Sequence, residues 1–130
     1  MTQPTLPVSL LMLQALASYI DQGSGNATLI FFDDDRPVNA DIAFHDSAKI
    51  LTMTFPNPCT KAIHAANIEL HAPDATVAIK AGTVKWARIV NGAGQPVLDV
   101  SMGTDIVLDK YDLVVGSSIK LDVMYLSPPI

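Results

Sequence analysis

This chain has 130 residues, a length that fits one domain able to bury a core. Apolar residues make up 49% of it and charged residues 16%, which argues against a disordered chain and favours a globular protein with subunit contacts. The net charge is −5 and the eight basic residues are scattered. This distribution predicts no binding to nucleic acid or to an anionic membrane surface.

An apolar helix is predicted over residues 8–21, after an arm that contains two prolines. Its apolar residues recur at helical spacing and spread over most of its circumference. A helix of this kind needs cover on more than one side. We therefore predict that residues 1–22 form an arm and helix that contact neighbouring subunits. The candidate contact residues are Leu10, Leu11, Leu13, Leu16, Tyr19 and Ile20.

The rest of the chain, residues 23–130, is predicted to form a β domain joined to the helix by a flexible joint, Gly23-Ser24-Gly25. Short alternating or continuously apolar runs are broken there by Gly, Pro, Asn and Asp. The predicted strands are residues 27–32, 49–55, 66–71, 76–80, 83–90, 96–102, 105–108 and 118–126. The mixed segment 38–47 is predicted to be a loop or an edge.

The clearest turn signal is Asn91-Gly92-Ala93-Gly94, which predicts a hairpin between the strands at 83–90 and 96–102. Turn signals every 8–15 residues predict an all-β fold, an antiparallel β-sandwich of seven to nine strands with Greek-key or jelly-roll-like connections and one N-terminal α-helix. The predicted core residues are Leu51, Met53, Phe55, Ile68, Leu70, Val84, Trp86, Ile119, Leu121 and Val123.

Two groups of residues are candidate metal ligands. Three adjacent carboxylates, Asp33 to Asp35, can offer oxygens to Ca²⁺, but they lack the spaced pattern of a calcium loop and favour a solvated turn. The three histidines, His45, His64 and His71, fit no zinc spacing. We predict no metal site and no cofactor.

Catalytic motifs are absent from the sequence. It has no nucleophile elbow and no phosphate-binding loop. Asp109, Asp112 and Asp122 do not define a carboxylate pair without a pocket. Cys59, the single cysteine, has only Lys61 as a nearby activating charge. These features predict a binding or structural module and no enzyme.

The order of these landmarks resembles a group of small virion proteins of tailed bacteriophages and prophages. The resembling segments are the joint at Gly23-Ser24-Gly25 into an aliphatic-aromatic strand, the acidic turn before Arg36-Pro37, the break Phe55-Pro56-Asn57-Pro58, the run Ala81-Gly82-Thr83 leading to Trp86-Ala87-Arg88, and Val97-Leu98-Asp99 before Met102-Gly103. Asp35 stands where the group would have glycine.

The resemblance implies a structural role in the virion, after synthesis in the host bacterial cytoplasm. It implies self-association into a homo-oligomer and docking on other phage structural proteins, on the head as a decoration protein or on the tail. It implies no catalytic residues. The alternative hypothesis is a carbohydrate- or receptor-binding β-sandwich module.

Overall fold

A computed structural model describes residues 5–64, 67–74, 76–102, 111–119 and 124–126 of the chain. These residues form one helix and eleven short strands, with every strand pairing antiparallel. The elements are α1 Leu6–Ile20, β1 Thr28–Phe32, β2 Lys49–Thr54, β3 Thr60–Ile63, β4 Ile68–Leu70, β5 Thr76–Val77, β6 Gly82–Thr83, β7 Trp86–Val90, β8 Pro96–Ser101, β9 Asp112–Leu113, β10 Ser118–Ile119 and β11 Met124–Leu126. The predicted mostly-β fold with one N-terminal helix is confirmed.

The largest sheet has four strands in the order β2-β1-β7-β8. Its central strand β1 carries four consecutive buried residues, Leu29 to Phe32, because both faces of the sheet are covered. The predicted hairpin is confirmed: β7 and β8 pair directly, and Asn91 N donates to Gln95 O at 3.0 Å across the turn.

The strand pair β5-β10 extends this sheet beyond β2. Asp74 N donates to Thr54 O at 2.8 Å and Ile79 N donates to Ile50 O at 2.9 Å, so the segment around β5 lies antiparallel to β2. β10 in turn pairs with β5, and β6 pairs with β9. The predicted strand 83–90 is divided between β6 and β7 by the segment Val84-Lys85, whose backbone bonds to other parts of the chain.

A separate three-stranded sheet has the order β11-β4-β3. The strand β3 is missing from the sequence prediction because Thr60–Ile63 has no clear alternation of apolar and polar residues. The predicted strand 118–126 yields β10 and β11 at its two ends. The predicted strand 105–108 lies outside the described residues.

A single apolar core joins the two sheets to the helix. It contains side chains from α1, from β1, β2, β7 and β8 of the large sheet and from β4 of the small one. Eight predicted core residues are confirmed as buried, namely Leu51, Met53, Phe55, Ile68, Leu70, Val84, Trp86 and Ile119. The other two, Leu121 and Val123, lie outside the described residues.

A second, smaller apolar cluster covers the opposite face of the large sheet. Ile30, Phe32 and Trp86 supply it from the sheet, and Phe44 packs against it from the segment 38–47. This segment is a loop that ends in a short 3-10 turn, Asp46–Ala48. Within the described residues, no helix is long and apolar enough to cross a bilayer.

Candidate interaction surfaces

The helix is built into the core of the domain, which corrects part of the predicted contact surface. Leu13 and Ile20 have no exposed surface and pack with the strands, so they are unavailable to a neighbouring subunit. Leu10, Leu16 and Tyr19 are half-buried. Of the six candidate contact residues, only Leu11 is exposed, at 64% of its surface. The sequence pattern showed an apolar circumference without showing which side the sheets would cover.

The outward face of α1 is nevertheless apolar. Val8, Leu11 and Met12 lie on it at helical spacing, each of them exposed, and we call these three residues the helix stripe. The helix contains no charged residue between Leu6 and Ile20. The stripe therefore presents hydrocarbon to solvent without a charged side chain of its own helix beside it.

The joint after the helix is tightly packed, which corrects the expectation of flexibility. A Cβ placed on Gly92 would lie 2.0 Å from Gly25 O, so the hairpin turn and the joint touch through their backbones. Gly23 has a φ of +104°, and a Cβ placed on it would lie 2.1 Å from Ala93 N. Glycine is needed at these places because any side chain would collide with backbone.

Polar contacts fix the end of the helix as well. Asn91 is buried, and its Nδ2 donates to Tyr19 O at 3.1 Å. Asp21 Oδ1 accepts a 2.8 Å hydrogen bond from Cys59 N. The helix therefore has one orientation relative to the sheets, set by contacts to the hairpin and to the segment before β3.

The acidic turn is integrated into the fold more than a solvated turn would be. Asp33 Oδ2 accepts a 2.7 Å hydrogen bond from Lys80 Nζ, and Asp34 Oδ1 accepts a 2.8 Å hydrogen bond from Trp86 Nε1. Asp35 is fully exposed. Two of the three carboxylates thus connect the turn to neighbouring segments. Among the residues the structure describes, no three potential metal ligands come together.

A groove of about 210 Å³ opens beside this turn, between it and the loop 37–45. Trp86 is among the residues that line it, and most of its surface is apolar. We call it the acidic groove because two aspartates stand on its rim. It is lined by Asp34, Asp35, Pro37, Val38, Ile42, Ala43, Phe44, His45 and Trp86.

A buried ion pair supports the groove from below. Arg88 is 2% exposed, and its Nε donates to Asp99 Oδ1 at 2.6 Å. Its Nη1 donates to Ile42 O at 2.6 Å, which ties the loop to the sheet. The guanidinium carbon lies 5.2 Å from the centre of the Trp86 ring, which stacks on Phe32 at 4.3 Å. The loop is thereby held in place over the sheet.

A second exposed apolar patch lies at the far edge of the extended sheet. Val77, Ile79, Val114 and Val115 are all at least half-exposed. Their segments are neighbours because Ala78 N donates to Ser117 O at 2.8 Å and Gly116 N donates to Ala78 O at 2.9 Å. The sequence prediction did not identify this patch, since its two halves are more than 30 residues apart in the chain.

The single cysteine is an inert core residue. Cys59 is fully buried, and burial together with the nearby charge of Asp21 raises the pKa of its thiol to about 12. A thiol with this pKa supplies almost no thiolate at neutral pH.

The histidines and the candidate carboxylates are dispersed over the chain. His64 Nε2 lies 3.0 Å from Glu69 Oε1, and this hydrogen bond, with Lys61, holds the pKa of Glu69 below its ordinary value. Asp112 is hydrogen-bonded by the hydroxyl of Thr83. The other two candidate carboxylates, at 109 and 122, lie outside the described residues.

The described part of the chain therefore presents three exposed apolar surfaces, namely the helix stripe, the acidic groove and the edge patch. Comparisons with models of protein families, with curated proteins and with solved structures found no match to this chain.

Proposed function

We propose that this protein is a structural subunit of a bacteriophage particle, present in many copies, which self-associates and docks on the capsid or tail lattice. The helix stripe is the observation that carries the proposal. Exposed Val8, Leu11 and Met12 form an apolar surface on an uncharged helix. Contiguous exposed apolar surface marks sites of protein association. The order of the sequence segments that resemble virion proteins supports a location in the phage particle.

The fixed orientation of the helix suits this role. Close backbone contact at Gly92 and the hydrogen bonds of Asn91 and Asp21 hold α1 against the domain. A contact surface that is already ordered in the free subunit loses less conformational entropy on association than a mobile arm would. Each copy in a lattice would present the stripe at the same angle.

We further propose that the domain is a β-sandwich. The sheet β2-β1-β7-β8 would be one layer and the sheet β11-β4-β3 the other. Both sheets contribute side chains to one core, as two packed layers do. The short pairs β5-β10 and β6-β9 would lie at the margins of these layers.

Self-association through the stripe can be tested by sedimentation velocity over a range of protein concentrations. Leu11→Glu places a charge at the centre of the stripe, and we expect it to shift the protein toward the monomer. The free energy of unfolding should stay within about 0.5 kcal/mol of the wild-type value. The matched control is Thr52→Glu, which places the same charge on an exposed strand residue. A wild-type protein that stays monomeric at every concentration, or a Leu11→Glu protein that associates normally, would contradict the role of the stripe.

The virion role has its own test in particles purified from the phage or prophage that encodes the chain. Quantitative mass spectrometry should find the protein in tens of copies per particle or more, in fixed ratio to the main head or tail protein. Absence from purified particles would overturn the proposal, whatever the oligomeric state of the isolated protein.

One observation favours the alternative function, a carbohydrate- or receptor-binding module. Tyr125 is half-exposed and pairs in register with Glu69 on β4. The Glu69 carboxylate is held by His64 at 3.0 Å and Lys61 at 3.4 Å, so an exposed ring stands beside an oriented acceptor. Sugars are recognised by such combinations of an aromatic face and fixed polar groups. Binding on a glycan array that is lost in Tyr125→Ala would favour this function.

A further inference from the structure

The acidic groove is a surface separate from the helix stripe, and its use as a binding site is independent of the proposed function. The acidic groove combines an apolar lining with a concentration of negative charge. Residues 33–48 contain five aspartates and one arginine, a formal charge of −4, while the whole chain carries −5. The acidic turn and the loop that frame the groove therefore carry an excess of negative charge, which Lys80 and Lys85 offset in part by pairing with Asp33 and Asp35.

The rim of the groove includes a carboxylate that is available to a partner. The Asp35 side chain is 99% exposed, and its contact within the chain is Lys85 Nζ at 3.7 Å. An exposed ion pair of this length contributes little stability, so an incoming cation can replace or share it at small cost. Asp34, beside it, keeps its orientation through the 2.8 Å hydrogen bond from Trp86 Nε1.

The groove has two large apolar side chains that are exposed to solvent. Val38 is 92% exposed and Ile42 is also exposed, although both belong to a loop that is fastened to the sheet through Arg88 and Phe44. Large apolar side chains that a fastened loop holds out toward solvent form a surface suited to a contact. Their neighbours on the rim are aspartates, so the complementary surface is apolar with a positive charge.

We propose that the acidic groove docks a protein segment in which an arginine or lysine is flanked by apolar residues. The cation would lie against Asp35 and Asp34 on the rim, and the flanking apolar side chains would cover Val38 and Ile42. Electrostatic complementarity would orient the segment, and the apolar contact would supply most of the affinity.

The single tryptophan makes this proposal directly testable. Trp86 lines the groove, so its indole N–H gives one unambiguous signal there in ¹⁵N-resolved NMR spectra. The probe is a terminally blocked pentapeptide with a central arginine between two leucines and a glycine at each end. We expect it to shift the Trp86 indole signal and the backbone signals of residues 34–45, with an affinity that weakens as salt is raised. The same peptide with glutamate in the central position should bind at least ~5-fold more weakly.

Two pairs of variants separate the groove from general charge attraction. Asp35→Asn should weaken binding of the arginine peptide by ~2–5-fold, while Asp74→Asn, which removes an exposed charge outside the groove, should leave it unchanged. Val38→Ser should also weaken binding, and Val114→Ser, on the edge patch, is its control. Each of these side chains is exposed, so all four variants should fold.

Several results would overturn the proposal. These are an unchanged Trp86 signal, equal binding of the arginine and glutamate peptides, and equal effects of the Asp35 and Asp74 variants. Binding of arginine amide as tight as that of the peptide would indicate a small-cation site. A Trp86 signal that shifts with protein concentration alone would show that a second copy of this chain occupies the groove.

Discussion

At the scale of single residues, the polar groups of this protein mostly serve its own fold. Arg88 is the strongest example, because a buried guanidinium is costly unless it is paired and hydrogen-bonded. Asp99 and Ile42 O supply those partners, and the Trp86 ring lies 5.2 Å away. Side chains alternate along β7, so Arg88 lies on the same face as Trp86, and these partners explain how a charge is accommodated there.

The buried ion pair leads to a stability prediction. Asp99→Ala should lower the free energy of unfolding by about 3 kcal/mol, because Arg88 would remain buried without its carboxylate. The double variant Arg88→Met with Asp99→Leu should recover most of the loss, since it removes both charges from the interior. Urea denaturation measures both, and Asp35→Asn, which breaks an exposed pair, is the control. A single variant as stable as this control would show that the buried pair contributes nothing.

The Cys59 thiol leads to a prediction on alkaline pH. Its pKa is raised from 9.0 to about 12 in the folded protein, so between these values the unfolded chain loses the proton while the folded chain keeps it. Ionisation therefore favours unfolding as the pH rises above 9, and has no effect below it. Between pH ~7 and pH ~10.5, wild type should lose about 1–2 kcal/mol more stability than Cys59→Ala. Equal losses in the two proteins would contradict the raised pKa.

At the scale of elements, the helix has two faces with different roles. Its inner face, at Leu13 and Ile20, completes the core, and its outer face, at Leu11, is exposed apolar surface. The absence of charge along α1 is explained by this double demand. A core surface and an exposed apolar surface share one short helix.

The two faces predict opposite mutational effects. Ile20→Ala should cost ~2–4 kcal/mol of stability, because it leaves a cavity among buried side chains. Leu11→Ala should change stability by less than about 0.5 kcal/mol, because its side chain is exposed in the monomer. Urea denaturation at a dilution where the protein is monomeric compares them. Similar costs for the two variants would mean that α1 is packed differently.

The sequence pattern predicted the central elements well and the marginal ones poorly. Strands β1 and β2 were predicted within one or two residues because continuous or alternating apolar runs report burial directly. Strands such as β3 and β9 are two to four residues long, which is too short to show an alternation of apolar and polar residues. The acidic groove was equally hidden, since it depends on the position of loop 37–45 over Trp86.

At the scale of the whole molecule, stability is concentrated around β1 and β7. These strands are the two interior members of the large sheet, and their side chains enter both apolar clusters. The loop 37–45 is attached mainly through Arg88 and Phe44, so it adds less to the core than β1 and β7 do.

Amide hydrogen exchange should reveal this gradient. We expect the slowest exchange at the amides of β1 and β7, where opening requires global unfolding, and faster exchange by ~100-fold or more in residues 35–43. Mass spectrometry of peptide fragments or NMR can measure it. Protection in the loop equal to that in β1 would show that the loop and the sheet open together.

The contact between Gly25 and Gly92 also governs when, during synthesis, the helix gains its place in the fold. The helix and β1 are synthesised first, yet β7 and the hairpin turn that hold them lie about 60 residues further along the chain. A chain still emerging from the ribosome therefore carries an apolar helix without the strands and the hairpin turn that hold it in the folded domain. Only a chain that extends past the hairpin can hold the helix stripe at the angle it has in the folded domain. In the role proposed above, this order of synthesis would keep chains that end before the hairpin from joining other subunits.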